Sequence, residues 1–161
     1  RSGIANEGRI AAALQADFFK RPPPKSLDRL DFTDDLARGL SVADGAATLS
    51  AFTVAAIVAS AAILPAPPAR WLVAGGGRRN DWLMQRLAET AGAPVAAIEA
   101  IGADGDALEA EAFAYMAVRT LNDAPISFPG TTGAPQPLSG GRIARAKAGA
   151  APSRTSRTRL T

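Results

Sequence analysis

Apolar positions recur every three to four residues over 7–19, with Ile10, Ala13, Leu14 and Phe18 in step, and that spacing predicts a helix. Pro22-Pro23-Pro24 then forbids helix and favours an extended connector. Ser41-Val42-Ala43-Asp44 resembles a capping box, with Asp in place of the usual Glu or Gln. The helix it opens is expected to run to about residue 64, where Pro65, Pro67 and Pro68 stop it. Residues 51–64 are nearly all apolar, but Asp44, Thr48, Ser50, Thr53 and Ser60 interrupt the longer run, so a buried central helix is expected rather than a membrane span.

The period then changes. The short apolar run 71–74 reads as a buried strand, broken by Gly75-Gly76-Gly77. Asn80 or Asp81 caps a helix over 82–91, closed by Gly92, and 94–98 gives a second strand. Asp104-Gly105-Asp106 starts a helix over about 107–121, and 122–141 reads as a Pro/Gly-rich loop. Helices alternating with strands indicate an α/β layered domain.

Composition sharpens this in two places. Of the apolar residues, 37 are Ala. Alanine packs helices closely but buries little area, so a thin core is expected, with apolar surface left for a neighbouring lobe. The net charge of +3 conceals a division: all 15 acidic residues precede residue 142, whereas Arg142, Arg145, Lys147, Arg154, Arg157 and Arg159 follow with no acid. That division separates a body over 1–141 from a basic tail over 142–161. The tail has no aromatic residue for base stacking and a composition typical of disorder, so a solvated tail is expected, without nucleic-acid binding. The chain has no Cys and no His, which removes disulfides, thiol metal sites and the commonest general base. No metal-ligand spacing is visible. The first residue is Arg1 and no charged-then-apolar leader follows, so secretion is unsupported and a fragment is expected.

Two segments carry candidate chemistry. The strand–Gly75-Gly76-Gly77–helix unit lets the backbone turn at positive φ and a ligand approach closely. The next helix offers N-terminal amides to a phosphate, with Arg78 and Arg79 as further donors. It matches neither GxGxxG nor a P-loop, so from the residues alone a tight strand-to-helix turn is the plainer reading. The second segment holds Asp104, Asp106, Glu109 and Glu111. The first two suit a helix start. Glu109 and Glu111 point in different directions, and Glu109 aligns with Phe113 and Met116 on the expected buried stripe. A carboxylate on an apolar stripe is a candidate functional group, and a structural network is the alternative. Lys25 and Arg29 could meet a phosphate, with a surface salt bridge as the plainer reading. Trp82, Phe113 and Tyr115 read as packing residues.

Five segments together resemble one family. They are Pro23-Pro24-Lys25-Ser26 with Arg29 and Phe32; Asp44-Gly45-Ala46-Ala47-Thr48-Leu49 with Ala51-Phe52-Thr53; Gly75-Gly76-Gly77-Arg78 with Asn80; Asp104 to Ala110 with Ala112-Phe113-Ala114; and Phe128-Pro129 to Thr132-Gly133. In this order they are similar to the C-terminal half of anhydro-N-acetylmuramic acid kinases, over about residues 1–141. The resemblance implies a truncated C-terminal lobe of an actin-like (ribonuclease-H-like) two-lobed sugar kinase. It implies ATP and Mg2+ as cofactors, with the main phosphate and metal site in the missing half, and conversion of 1,6-anhydro-N-acetylmuramic acid to N-acetylmuramic acid 6-phosphate in peptidoglycan recycling in the cytoplasm. Gly75, Gly76, Gly77 and Asn80 resemble its nucleotide-contacting turn, and Glu109 resembles the glutamate beside the attacking water. The family's first phosphate loop and its aspartate general base have no match here. The expected partners are therefore the missing N-terminal lobe and the anhydro-amino-sugar, with room for a homodimer and no membrane. The fragment alone is expected to be inactive. The alternative is a non-catalytic nucleotide-binding or interaction module left by truncation.

Overall fold

A computed structural model describes residues 3–28, 31 and 34–144. The helices are α1 (Glu7–Ala13), α2 (Asp17–Lys20), α3 (Val42–Ala59), α4 (Asp81–Thr90), α5 (Leu108–Leu121) and α6 (Pro129–Thr132). Strands β1 (Trp71–Val73) and β2 (Val95–Ala97) pair in parallel, with Trp71 opposite Val95 and Val73 opposite Ala97. The α4 crossover between them forms a βαβ unit.

The helix expected over 7–19 is two helices. Asn6 caps α1 by accepting the Arg9 N–H, and Gln15 and Ala16 donate three residues back, tightening the chain into a turn. The turn swings Phe18 and Phe19 onto α3, where the Phe19 and Phe52 rings meet edge to face at 6.2 Å.

Ser41 caps α3 as its sequence predicts, accepting the Asp44 N–H. The reciprocal half of the box is redirected. Asp44 Oδ1 accepts the Ile4 N–H at 2.7 Å and Oδ2 accepts the Ser41 hydroxyl at 2.8 Å. These two donors hold the Asp44 carboxyl below the usual carboxylate range, the Ile4 amide contributing most. One turn later, Thr48 is fully buried; its Oγ1 accepts the Asn6 N–H and donates to the Asp44 carbonyl. The N-terminal strand of chain is thereby tied along α3.

Among the described residues four 3₁₀ turns flank these elements, at Asp34–Ala37, Ser60–Ile63, Gly76–Arg79 and Ile98–Ile101. Helix α3 packs against α1, the Asp34–Ala37 turn and α4. The core is small: Ile10, Phe52, Val54, Leu87 and Ala91 are its buried apolar members among the described residues.

Two burial expectations fail. The central helix is buried at Gly45, Thr48, Phe52 and Val54 but leaves Leu49 and Ile57 open to solvent. With its 3₁₀ extension, Val42–Ile63 is long and apolar enough to cross a membrane by length and composition. A soluble core helix passes the same test, and this one packs on one side only. The stripe of α5 is likewise not buried: the helix has no buried residue and Phe113 is 63% exposed. Both faces lack a covering layer within the described residues.

The 122–141 loop contains α6, with Pro129 in its first turn and Gly133 at φ 74° closing it, and a bridge pairing Ser127 with Leu138. Of the basic tail, Arg142 to Ala144 are exposed and lack regular structure; 145–161 lie outside the described residues.

Candidate functional site

The glycine turn is built where β1 leaves the sheet. Gly75 stands at φ 70°, a conformation that favours glycine, and Gly76–Arg79 forms a single 3₁₀ turn. Gly76 and Gly77 differ from Gly75. Neither has positive φ, both are exposed, and a Cβ added to either would meet no atom within 4 Å. Among the described residues nothing requires glycine at these two positions, and the space above them is open.

Asn80 caps α4, its Oδ1 accepting from the Trp82 and Leu83 amides at 3.1 and 3.2 Å. Two of the amides expected to be offered to a phosphate are therefore already satisfied.

The two arginines after the glycines are also engaged, contrary to their expected role as phosphate donors. Arg78 Nε donates to Glu99 at 2.7 Å and its Nη1 donates to Asp106 at 2.9 Å. Arg79 pairs with the other oxygen of Asp106. The Arg78 hydrogen bond is the main reason the Asp106 carboxyl sits below its usual range. Glu99 is lowered first by its own backbone amide and next by Arg78. Asp106 begins the approach to α5, and Asp104 Oδ1 accepts the Asp106 N–H within that turn; the expected side-chain cap is not formed, because the N-cap of α5 is Ala107.

Glu109 and Glu111 lie in the first turn of α5, two residues apart and both exposed. The structure joins the glycine turn to Glu99 and to Asp104–Asp106, and places Glu109 three residues further on. Lys25 is directed elsewhere: its Nζ donates to the Phe18 and Phe19 carbonyls and sits 4.7 Å from the Phe18 ring centre. Arg29 and Phe32 lie outside the described residues.

Sequence reasoning missed the Arg78 cluster and the Asp44–Thr48 ties. Asp44 and Thr48 are spaced i, i+4, which puts both on one helix face, and that spacing was the available signal.

Residues 1–146 match the family described as anhydro-N-acetylmuramic acid kinase. The chain belongs to this family. A relative of that name from Rhizorhabdus wittichii is 55% identical over 139 residues, which is 86% of this chain and 38% of the relative. Relatives of the same name from Rhodospirillum rubrum and Acidiphilium cryptum are 52% and 54% identical, covering 88% and 89% of this chain but 38% and 40% of their own length. The chain thus spans about two-fifths of the anhydro-N-acetylmuramic acid kinases that it matches. The glycine turn, the Arg78 cluster and the start of α5 all fall inside the matched residues.

Proposed function

We propose that this chain is the part of an anhydro-N-acetylmuramic acid kinase that carries a nucleotide-contacting turn and one carboxylate of the sugar pocket. In the proposed reaction water adds to the anomeric carbon of 1,6-anhydro-N-acetylmuramic acid and the bridging C–O bond breaks. The freed oxygen takes the γ-phosphoryl group of ATP, giving N-acetylmuramic acid 6-phosphate and ADP. The setting is peptidoglycan recycling in the cytoplasm, and the lobe assignment is that of an actin-like sugar kinase.

The observation that carries the nucleotide reading is the pair Gly76 and Gly77. Among the described residues neither a positive φ nor a packing contact calls for their missing side chains, and they leave a space where a ligand can approach the backbone. ATP fits that cradle, with the Gly76 and Gly77 backbone and Asn80 facing it. Among the described residues no group of three acidic side chains lies close enough to hold an ion, so Mg2+ would be held with the ATP phosphates by residues elsewhere in the enzyme. No step here runs through it. Glu109 would orient the attacking water beside a base from elsewhere in the enzyme.

Gly76→Val tests the reading in a chimera of this chain with the remaining length of the Rhizorhabdus wittichii relative. Open space over Gly76 means the folded state tolerates the side chain, so the melting temperature should hold. ATP affinity should fall at least about tenfold, since an approach of ligand to backbone is blocked. Unchanged affinity in a folded variant would reduce the turn to structure alone.

A further inference from the structure

Beneath the open glycine turn lies a closed electrostatic joint that the proposed chemistry does not use. The Arg78 side chain is 7% exposed, while that of its neighbour Arg79 is 66% exposed. Its Nη1 donates to the Gly75 carbonyl at 2.9 Å as well as to Asp106, and its Nε donates to Glu99. The guanidinium lies against Gly105, where an added Cβ would fall 2.4 Å from Nε and 2.6 Å from Cζ. Next to it, the Gly75 N–H donates to the Gly105 carbonyl at 3.2 Å. One side chain therefore links three segments: the glycine turn, the Ile98–Ile101 turn and the 104–106 loop that leads into α5.

The charge count matters as much as the geometry. Two guanidinium groups face two carboxylates, and Asp106 is shared by both arginines. Such a neutral, mutually bonded set does not offer Arg78 to an anionic ligand. The planar fork instead fixes direction, because its donors point to separate acceptors at set angles.

We propose that Arg78 is a positioning residue that locks the Gly75–Gly77 turn to the start of α5. A nucleotide on the turn and a sugar beside Glu109 then keep one fixed separation. This rests on the reading of the turn and of Glu109 given above. Gly105 belongs to the same device, since only a residue without a Cβ leaves room for the guanidinium.

The test uses the same chimera with Arg78→Lys, Arg78→Ala and Gly105→Ala. Gly105→Ala keeps every charge and displaces the fork, so it separates position from charge. All three should lower kcat by about 10- to 100-fold, the scale of a misplaced reacting pair, with KM for ATP and for the sugar changing less than about threefold. A tenfold rise in KM for ATP at unchanged kcat in Arg78→Ala would make Arg78 a phosphate ligand and overturn the proposal. So would full kcat in Arg78→Lys, since a point charge would then suffice, or a lowered melting temperature with full kcat per folded molecule. Gly76→Val runs alongside. Unchanged ATP affinity there removes the nucleotide reading and this proposal with it. Weakened affinity there, with unaltered kcat in the Arg78 and Gly105 variants, overturns this proposal alone.

Discussion

Thr48 shows how much one small side chain does when it sits where two segments meet. Its hydroxyl accepts the Asn6 N–H at 3.0 Å and donates to the Asp44 carbonyl at 2.7 Å, with no exposed surface. Thr48→Val keeps the shape and removes the acceptor, leaving the Asn6 amide to find another partner. The expected cost is about 1 kcal/mol or more, and for a chain of this size each kcal/mol lowers the melting temperature by about 2–4 °C. Thr48→Ser, which keeps the oxygen, should lose less. Equal melting of Thr48→Val and the parent chain would mean that this bond does not hold the N-terminal segment. Threonine within an apolar helix reads from sequence as a mild interruption, because its partner Asn6 is 42 residues away.

At the scale of the element, α5 is the informative case. Its boundaries were legible: Asp104 and Asp106 mark the start, and the helix covers Leu108–Leu121 against an expected 107–121. Its environment was not. The line Glu109, Phe113, Met116 is a stripe by spacing, yet Phe113 stands 63% exposed and Val118 57% exposed. Periodicity reports which residues share a face, and packing decides whether that face is covered. If the covering layer carries the sugar pocket, Glu109→Gln in the chimera should cut turnover by about 100-fold, as for groups that position or move a proton, with ATP affinity nearly unchanged. Glu111→Gln, about 200° around the helix, should be nearly silent. The opposite ranking would place the pocket on the other face.

Among the described residues, exposed large apolar side chains include Leu49 and Ile57 on α3 and Phe113, Val118 and Leu121 on α5, and the sheet has two parallel strands. Parallel strands are ordinarily covered on both faces, so a sheet this small needs further layers. The Trp71 indole N–H fits that picture, being buried with no acceptor among the described residues. The relatives are more than twice as long as this chain, which is length enough to supply those layers. Phosphorylation of the anhydro-sugar is therefore expected from the chimera and not from residues 1–161 alone, with phosphate transfer from labelled ATP as the readout. Steady turnover by the isolated chain would show that the absent length supplies no essential group.

Much of the fold was determined locally. Asn6, Ser41 and Asn80 cap helices because their side chains reach amides two or three residues ahead. Gly75 turns the chain because it tolerates φ 70°, and the prolines after residue 64 stop the 3₁₀ turn Ser60–Ile63 that follows α3, the α-helix itself ending at Ala59 rather than near residue 64. The family, too, was legible, as five short motifs in a fixed order. The tertiary structure alone decided which charges meet and which faces stay open. Arg78 reads in sequence as a free cation beside a glycine turn, and it becomes a buried joint because Glu99 and Asp106 arrive from 21 and 28 residues away. Coulomb attraction acts on distance in space, and a linear pattern holds no record of that distance until the chain has folded.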